Sequence, residues 1–151
     1  LQFPGARIFC LNLPRPRLQE KILLRTQEML ARGLIKEVEG LLGSGVEIAA
    51  KPFASIGYRQ VLEYLGKLAP PRGRQAATNQ AELVQAIAQD TLRLAKSQST
   101  WFRGQAPAPE WIEGEPDPAN AIISRLGLIP EALTTTSSLL RANPRLDPDQ
   151  N

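Results

Sequence analysis

Residues 91–104 read TLRLAKSQSTWFRG, and the way these side chains fall around a helix decides what kind of fold the chain can have. The spacing predicts a helix over roughly 76–103, the longest in the chain, stopped by Gly104 and the following PAP segment. Its apolar or neutral line runs Val84, Ile87, Thr91, Leu94, Gln98, Trp101 in steps of three and four. Arg93, Lys96, Thr100 and Arg103 fall within an arc of about 80° on another side. One face is thus expected to dock on the body, while the other offers three cations and a hydroxyl to a polyanion. Trp101 and Phe102 are also the side-chain type that stacks on unpaired bases. On pattern alone a solvated basic face, favoured near a helix C-terminus by the macrodipole, outweighs nucleic-acid binding.

Outward from this helix the chain reads as helical on both sides. Leu18, Ile22 and Met29 recur at helical spacing after Pro14 and Pro16, up to Gly33. A second helix carries Leu34, Val38 and Leu41 and ends at the GSG of Gly43–Gly45. A third is expected from roughly Ser55 to Leu65, with Gly57 near its start, where a glycine costs about 1 kcal/mol relative to alanine. PPRGR at Pro70–Arg74 reads as a linker. After Trp111, Asp117-Pro118 provides a cap and first turn for a short helix with Ile122, Ile123 and Leu126. RIFCLNL at Arg7–Leu13 alternates as a short strand, and no second convincing strand is found, so its partners are expected outside this chain. From Thr134 the chain is polar and dotted with proline, and it is read as disordered.

Composition narrows the chemistry. The 151 residues suffice for one domain with a core, and the net charge of +3 is mild, so any functional basicity has to be local. There is no histidine, which removes serine-type triads and His-based metal sites, and the single Cys10 excludes an internal disulfide and fits a reducing compartment. No apolar run approaches the roughly 18 residues needed to span a bilayer. The chain opens on Leu1, which suggests entry partway through a longer sequence. Arg25 shares a helix line with Leu18, Ile22 and Met29, and a cation there calls for an anion partner, a carboxylate or a bound phosphate. Glu37, Glu39 and the acidic loop Glu113–Asp117 lack metal-like spacing.

Four motifs stand in a fixed order: R-x-x-x-ML-x-x-GL-x-x-EV at Arg25–Val38, IGYRQ-x-x-x-YL at Ile56–Leu65, T-x-x-x-AK-x-Q-x-TWFR at Thr91–Arg103, and WIE at Trp111–Glu113. In this order and with these gaps they resemble the C-terminal part of bacterial-type tRNA dimethylallyltransferases (tRNA isopentenyltransferases), over about Ile8 to Glu113. The resemblance implies a P-loop-type α/β fold of which this chain is the mostly α, C-terminal helical part. Residues 1–16 would then end the α/β core, 17–127 form the helical region and 128–151 a disordered tail. It implies transfer of dimethylallyl from dimethylallyl diphosphate to N6 of the adenosine 3′ of the anticodon, with Mg²⁺ assisting departure of pyrophosphate. The implied partners are the tRNA anticodon stem-loop and the diphosphate, for a cytoplasmic monomer that touches no membrane. Arg25 matches an arginine near the diphosphate. Gly57, Tyr58, Arg59 and Gln60 match a tRNA-facing segment. Arg93, Lys96, Gln98, Thr100, Trp101, Phe102 and Arg103 lie on the helix expected to position tRNA and brace the core.

Three positions depart from the family pattern, which has arginine where this chain has Lys21, Leu92 and Ser97. Lys21 keeps the charge but loses the bidentate fork, while the cations lost at Leu92 and Ser97 each weaken exposed anion contacts by about 0.5 to 1 kcal/mol. No G-x-x-x-x-G-K-[ST] segment occurs, and no residue of the chain is assigned a catalytic or metal-binding role. The chain alone is therefore expected to be inactive. Two rival expectations are a non-catalytic RNA-binding remnant and a helical protein-interaction module.

Overall fold

The computed structural model describes residues 5–105, 107–114 and 116–128. They fall in two compact units: one spans Pro14–Gln105, and the other combines the N-terminal segment up to Leu13 with the residues after Gln105. The units differ from the division expected from sequence, because residues 107–127 group with the N-terminal strand and not with the helical region. The expected disordered tail lies outside the described residues.

The helical unit holds α1 (Arg15–Ala31), α2 (Leu34–Gly43), a 3₁₀ turn (Lys51–Ala54), α3 (Tyr58–Tyr64) and α4 (Gln80–Arg103). Pro16 lies in the first turn of α1, where its missing N–H costs nothing. Gly33, at φ +99°, separates α1 from α2. The core gathers Leu34, Val38, Phe53, Val61, Leu62, Leu83 and Ile87, so α2, α3 and the first half of α4 enclose it. The start of α4 is fixed by its cap. Asn79 accepts the Glu82 N–H at 2.9 Å, and the Glu82 carboxylate in turn receives the Thr78 N–H at 2.7 Å and its hydroxyl at 2.8 Å. This reciprocal cap places the start of α4 at Gln80, four residues later than the apolar spacing alone predicts.

Two expectations about this unit are corrected. Gly57 is not inside α3 but precedes it, at φ +101°, a backbone region closed to most side chains. An added Cβ would find only ordinary contacts to Met29 and Leu34, so conformation, not space, demands the glycine. The apolar line of α4 also loses its cover past Ala88: Leu94 is 47% exposed and Trp101 60% exposed. The side chains turned inward there are the half-buried Thr91, Leu92, Ala95, Ser99 and Phe102. Small residues on this side suit close helix packing, and α1 packs along α4.

The second unit supplies the strand that the sequence hid. β1 (Phe9–Asn12) pairs in parallel with β2 (Glu110–Glu113), with Phe9 opposite Glu110 and Asn12 opposite Glu113. Only four residues long and acidic at both ends, β2 shows too little alternation to be recognised. A parallel pair needs a long crossover, and here the whole helical unit lies between the strands in sequence. Cys10 and Ile112 are buried. Arg7 grips both oxygens of Glu110, at 2.8 and 2.9 Å, stacks over Phe9 at 5.1 Å and donates to the Arg125 carbonyl. That ties β2 to α5 (Pro118–Arg125), which Asp117 caps by accepting the Asn120 N–H at 3.1 Å. Gly114 donates to the Asn12 carbonyl at 2.7 Å, and a Cβ there would approach the Leu13 side chain to 3.1 Å.

Candidate nucleic-acid interface

The GYRQ segment and the long helix meet through one buried side chain. Gln60 is 3% exposed, and its amide works in both directions. Its Oε1 accepts the Gly57 N–H at 2.7 Å, which closes the turn before α3, and its Nε2 donates to Asp90 Oδ2 on α4 at 2.5 Å. A buried amide bonded at both ends ties the turn to the long helix. Gln60, expected among the tRNA-facing residues, is thereby an internal brace.

Charges extend this brace to the surface on both sides. Arg59 Nε lies 3.0 Å from Glu63 Oε1, and the Glu63 side chain is 3% exposed against 43% for Arg59. On α4, Asp90 Oδ1 accepts from Arg93 at 2.5 Å, and the Arg93 side chain is largely exposed. Arg74 enters between the two acids. Its Nη1 donates to Asp90 Oδ2 at 2.7 Å, while its buried Nη2 makes no hydrogen bond and lies 3.9 Å from Glu63 Oε2. Burial pushes the Asp90 carboxyl up, but the hydrogen bonds from Arg74 and Gln60, with the charges of Arg74 and Arg93, outweigh it and hold Asp90 below the ordinary carboxylate value. Asp90 is therefore an anion at neutral pH, with three partners.

Other expected site residues separate by exposure. Tyr58 donates its hydroxyl to Glu37, and that hydrogen bond raises the phenol above its usual value, as do burial and the Glu37 charge. Its ring lies 6.1 Å from that of Phe53, so Tyr58 bridges α2 and the 3₁₀ turn. Lys96, Gln98, Thr100 and Arg103 are exposed on α4 with Arg93. Thr100 donates its hydroxyl to the Lys96 carbonyl at 3.0 Å. Trp101, expected on the docking side, is exposed and meets the half-buried Phe102 edge-on at 4.9 Å. Arg25 is exposed, and Thr26 is the buried residue beside it, donating to the Ile22 carbonyl at 2.8 Å. The half-buried cation expected at position 25 is thus a surface cation.

Sequence reasoning missed Glu63, Arg74 and Asp90. One signal was present: Asp90 stands three residues after Ile87, beside the apolar line that passes through Thr91, and an acid at the edge of such a line calls for a cation. Which cation would answer was hidden, because Arg74 comes from a loop read as a linker.

The same segments are matched in known proteins. Residues 3–105 match the model of the IPP transferase family. This chain belongs to that family. A tRNA dimethylallyltransferase 1 of Trichlorobacter lovleyi is 44% identical over 104 residues, which cover 69% of this chain and 31% of that protein. A tRNA dimethylallyltransferase of Desulfatibacillum aliphaticivorans is 36% identical over 123 residues, covering 82% and 36%. The chain thus spans about a third of the length of these relatives. Among solved structures, the tRNA isopentenylpyrophosphate transferase of Bacillus halodurans superposes with a TM-score of 0.64 at 25% identity, over 91% of this chain and 44% of that one. The mostly helical architecture of this IPP transferase family member, with its short parallel strand pair, is consistent with that family's fold. Among the described residues no helix is long and apolar enough to cross a membrane, and no cluster of three His, Cys, Asp or Glu side chains could hold a metal ion.

Proposed function

We propose that this chain is the C-terminal helical part of a tRNA dimethylallyltransferase and contributes surface that holds the anticodon stem-loop. The observation that carries it is the Gln60–Asp90 bond of 2.5 Å, which locks the GYRQ turn to the long helix. It fixes Arg59 on one element and Arg93 on the other to a common brace, while Lys96 and Arg103 continue the cations along α4. Cations held on a stiff frame contact phosphates at a lower ordering cost. Trp101 is exposed on the same helix, and in this reading it stacks on an unpaired base.

The reaction of the complete protein would join N6 of the adenosine to the dimethylallyl carbon as the C–O bond to diphosphate breaks, with N6 giving up one proton to a base. Arg25, exposed on α1, is assigned to the departing diphosphate. Magnesium is assigned to residues outside this chain, because the acids of the brace are already committed to arginines. The chain contributes positioning and no catalytic group, which makes it inactive alone, and it acts as a monomer in the cytoplasm. Dimethylallyl transfer to tRNA by the isolated chain would overturn the inactivity.

The tRNA contact is tested by gel shift with an anticodon stem-loop across a salt series. Lys96→Ala with Arg103→Ala should lower affinity and flatten the salt dependence by about two units of slope. Unchanged binding in the double variant removes the cationic face and favours the second reading, a helical protein-interaction module, for which exposed Leu94 and Trp101 are the supporting observation.

A further inference from the structure

We propose that Arg74 is a positioning residue for the RNA-facing surface: it balances Asp90, so that Arg93 keeps an unspent charge and Gln60 keeps the Gly57 turn closed. The inference rests on the RNA-contact reading above and assigns part of its affinity to a residue outside all four family motifs.

Arg74 stands on a loop built to aim it. Pro70 and Pro71 stiffen the approach, the Arg74 N–H bonds the Pro71 carbonyl at 3.0 Å, and Gly73 supplies φ +80° for the turn between them. The guanidinium is then delivered to the point where α3 and α4 present Glu63 and Asp90. The brace contains three cations, Arg59, Arg74 and Arg93, against two anions, Glu63 and Asp90, so it carries one positive charge in excess. Removing Arg74 leaves two against two. Arg93 then becomes the sole counter-ion of Asp90, and Arg59 that of Glu63, so neither retains a surplus for a phosphate.

Geometry adds a second effect. Asp90 Oδ2 accepts from both Gln60, at 2.5 Å, and Arg74, at 2.7 Å, while Oδ1 accepts from Arg93. Arg74 thereby holds the carboxylate with Oδ2 towards Gln60. Without it, the exposed Arg93 is free to draw the carboxylate towards solvent, and the Gln60 amide loses the partner that keeps its Oε1 on the Gly57 N–H. Charge and orientation both depend on a residue that touches no RNA.

The full 151-residue chain carrying Arg74→Ala, Arg93→Ala or both is titrated with an anticodon stem-loop over a salt series, and exchange of the Gly57 amide is followed without RNA. Arg74→Ala should weaken binding about tenfold and lower the salt slope by about one. In the double variant the loss should fall short of the product of the two single losses, because part of the effect of Arg74 runs through Arg93, and Arg74→Lys should restore the slope. A purely structural role would lower the melting temperature without this non-additivity. Effects that multiply in the double variant would overturn the proposal, as they mean Arg74 acts on RNA independently of Arg93. Should Arg74→Ala not fold, Arg74→Gln, which keeps a donor for Asp90 without the charge, takes its place with the same slope and double-variant criteria. If the unaltered chain does not bind the stem-loop, the RNA-contact reading fails by itself. The positioning role then stands on faster Gly57 exchange in Arg74→Ala and falls if that exchange is unchanged.

Discussion

The two halves of α4 carry the same kind of apolar line and meet opposite fates. Leu83 and Ile87 in the first half are sealed in the core, whereas Leu94 and Trp101 in the second stand largely in solvent. Periodicity fixes the direction in which a side chain points, but burial also needs a neighbour in that direction. α2, α3 and the 3₁₀ turn supply that neighbour only as far as Ala88. Beyond it, only the side bearing Thr91, Ala95, Ser99 and Phe102 is covered.

The contrast is sharpest in truncations. Leu83→Ala should cost about 3 kcal/mol by chemical denaturation, since it opens a cavity among fully buried neighbours, while Leu94→Ala should change stability by no more than about 0.5 kcal/mol. Equal losses would mean that the second half has a partner surface within the chain. Next in size is Asp90→Ala, which leaves Arg74 and the Gln60 amide unpaired at the point where the two halves join; about 2 kcal/mol of stability should be lost. Gly57→Ala should cost about 1 to 2 kcal/mol through its positive φ, with local melting of the turn seen in amide exchange.

The smallest effect is a pH dependence. Asp90 has a folded-state pKa below its unfolded value, so its contribution is complete above the unfolded value, about 3.9, and is lost as pH falls through the folded one. Unfolding measured from pH 6 downward should therefore show a steeper loss in the unaltered chain than in Asp90→Asn. Parallel curves would remove the arginines around Asp90 as the cause.

The helices and their order were legible in the sequence, because prolines, glycines and three-and-four spacing mark them locally. β2 was not, because four residues with an acid at each end carry too little pattern, and its partner is distant in the chain. At the candidate site the basic face of α4 was readable from Arg93 to Arg103. The roles of Gln60 and Trp101 were not. Gln60 is polar and buried by a bond to a residue thirty positions away, and Trp101 is apolar and exposed for want of a neighbour. Arg25 shows the same limit, since Leu18, Ile22 and Met29 do turn inward but Thr26, not Arg25, takes the buried position between them.

The parallel pairing of β1 and β2 has a consequence for how the molecule assembles. Strands separated by roughly a hundred residues cannot find each other cheaply in an open chain, because closing so long a loop precedes any reward from four paired residues. The helical unit has to shorten that loop first, which makes the strand pair the last structure to form and the first to open. Exchange of the Glu110 amide, bonded to the Ile8 carbonyl at 2.8 Å, is therefore a clock for the late step of folding.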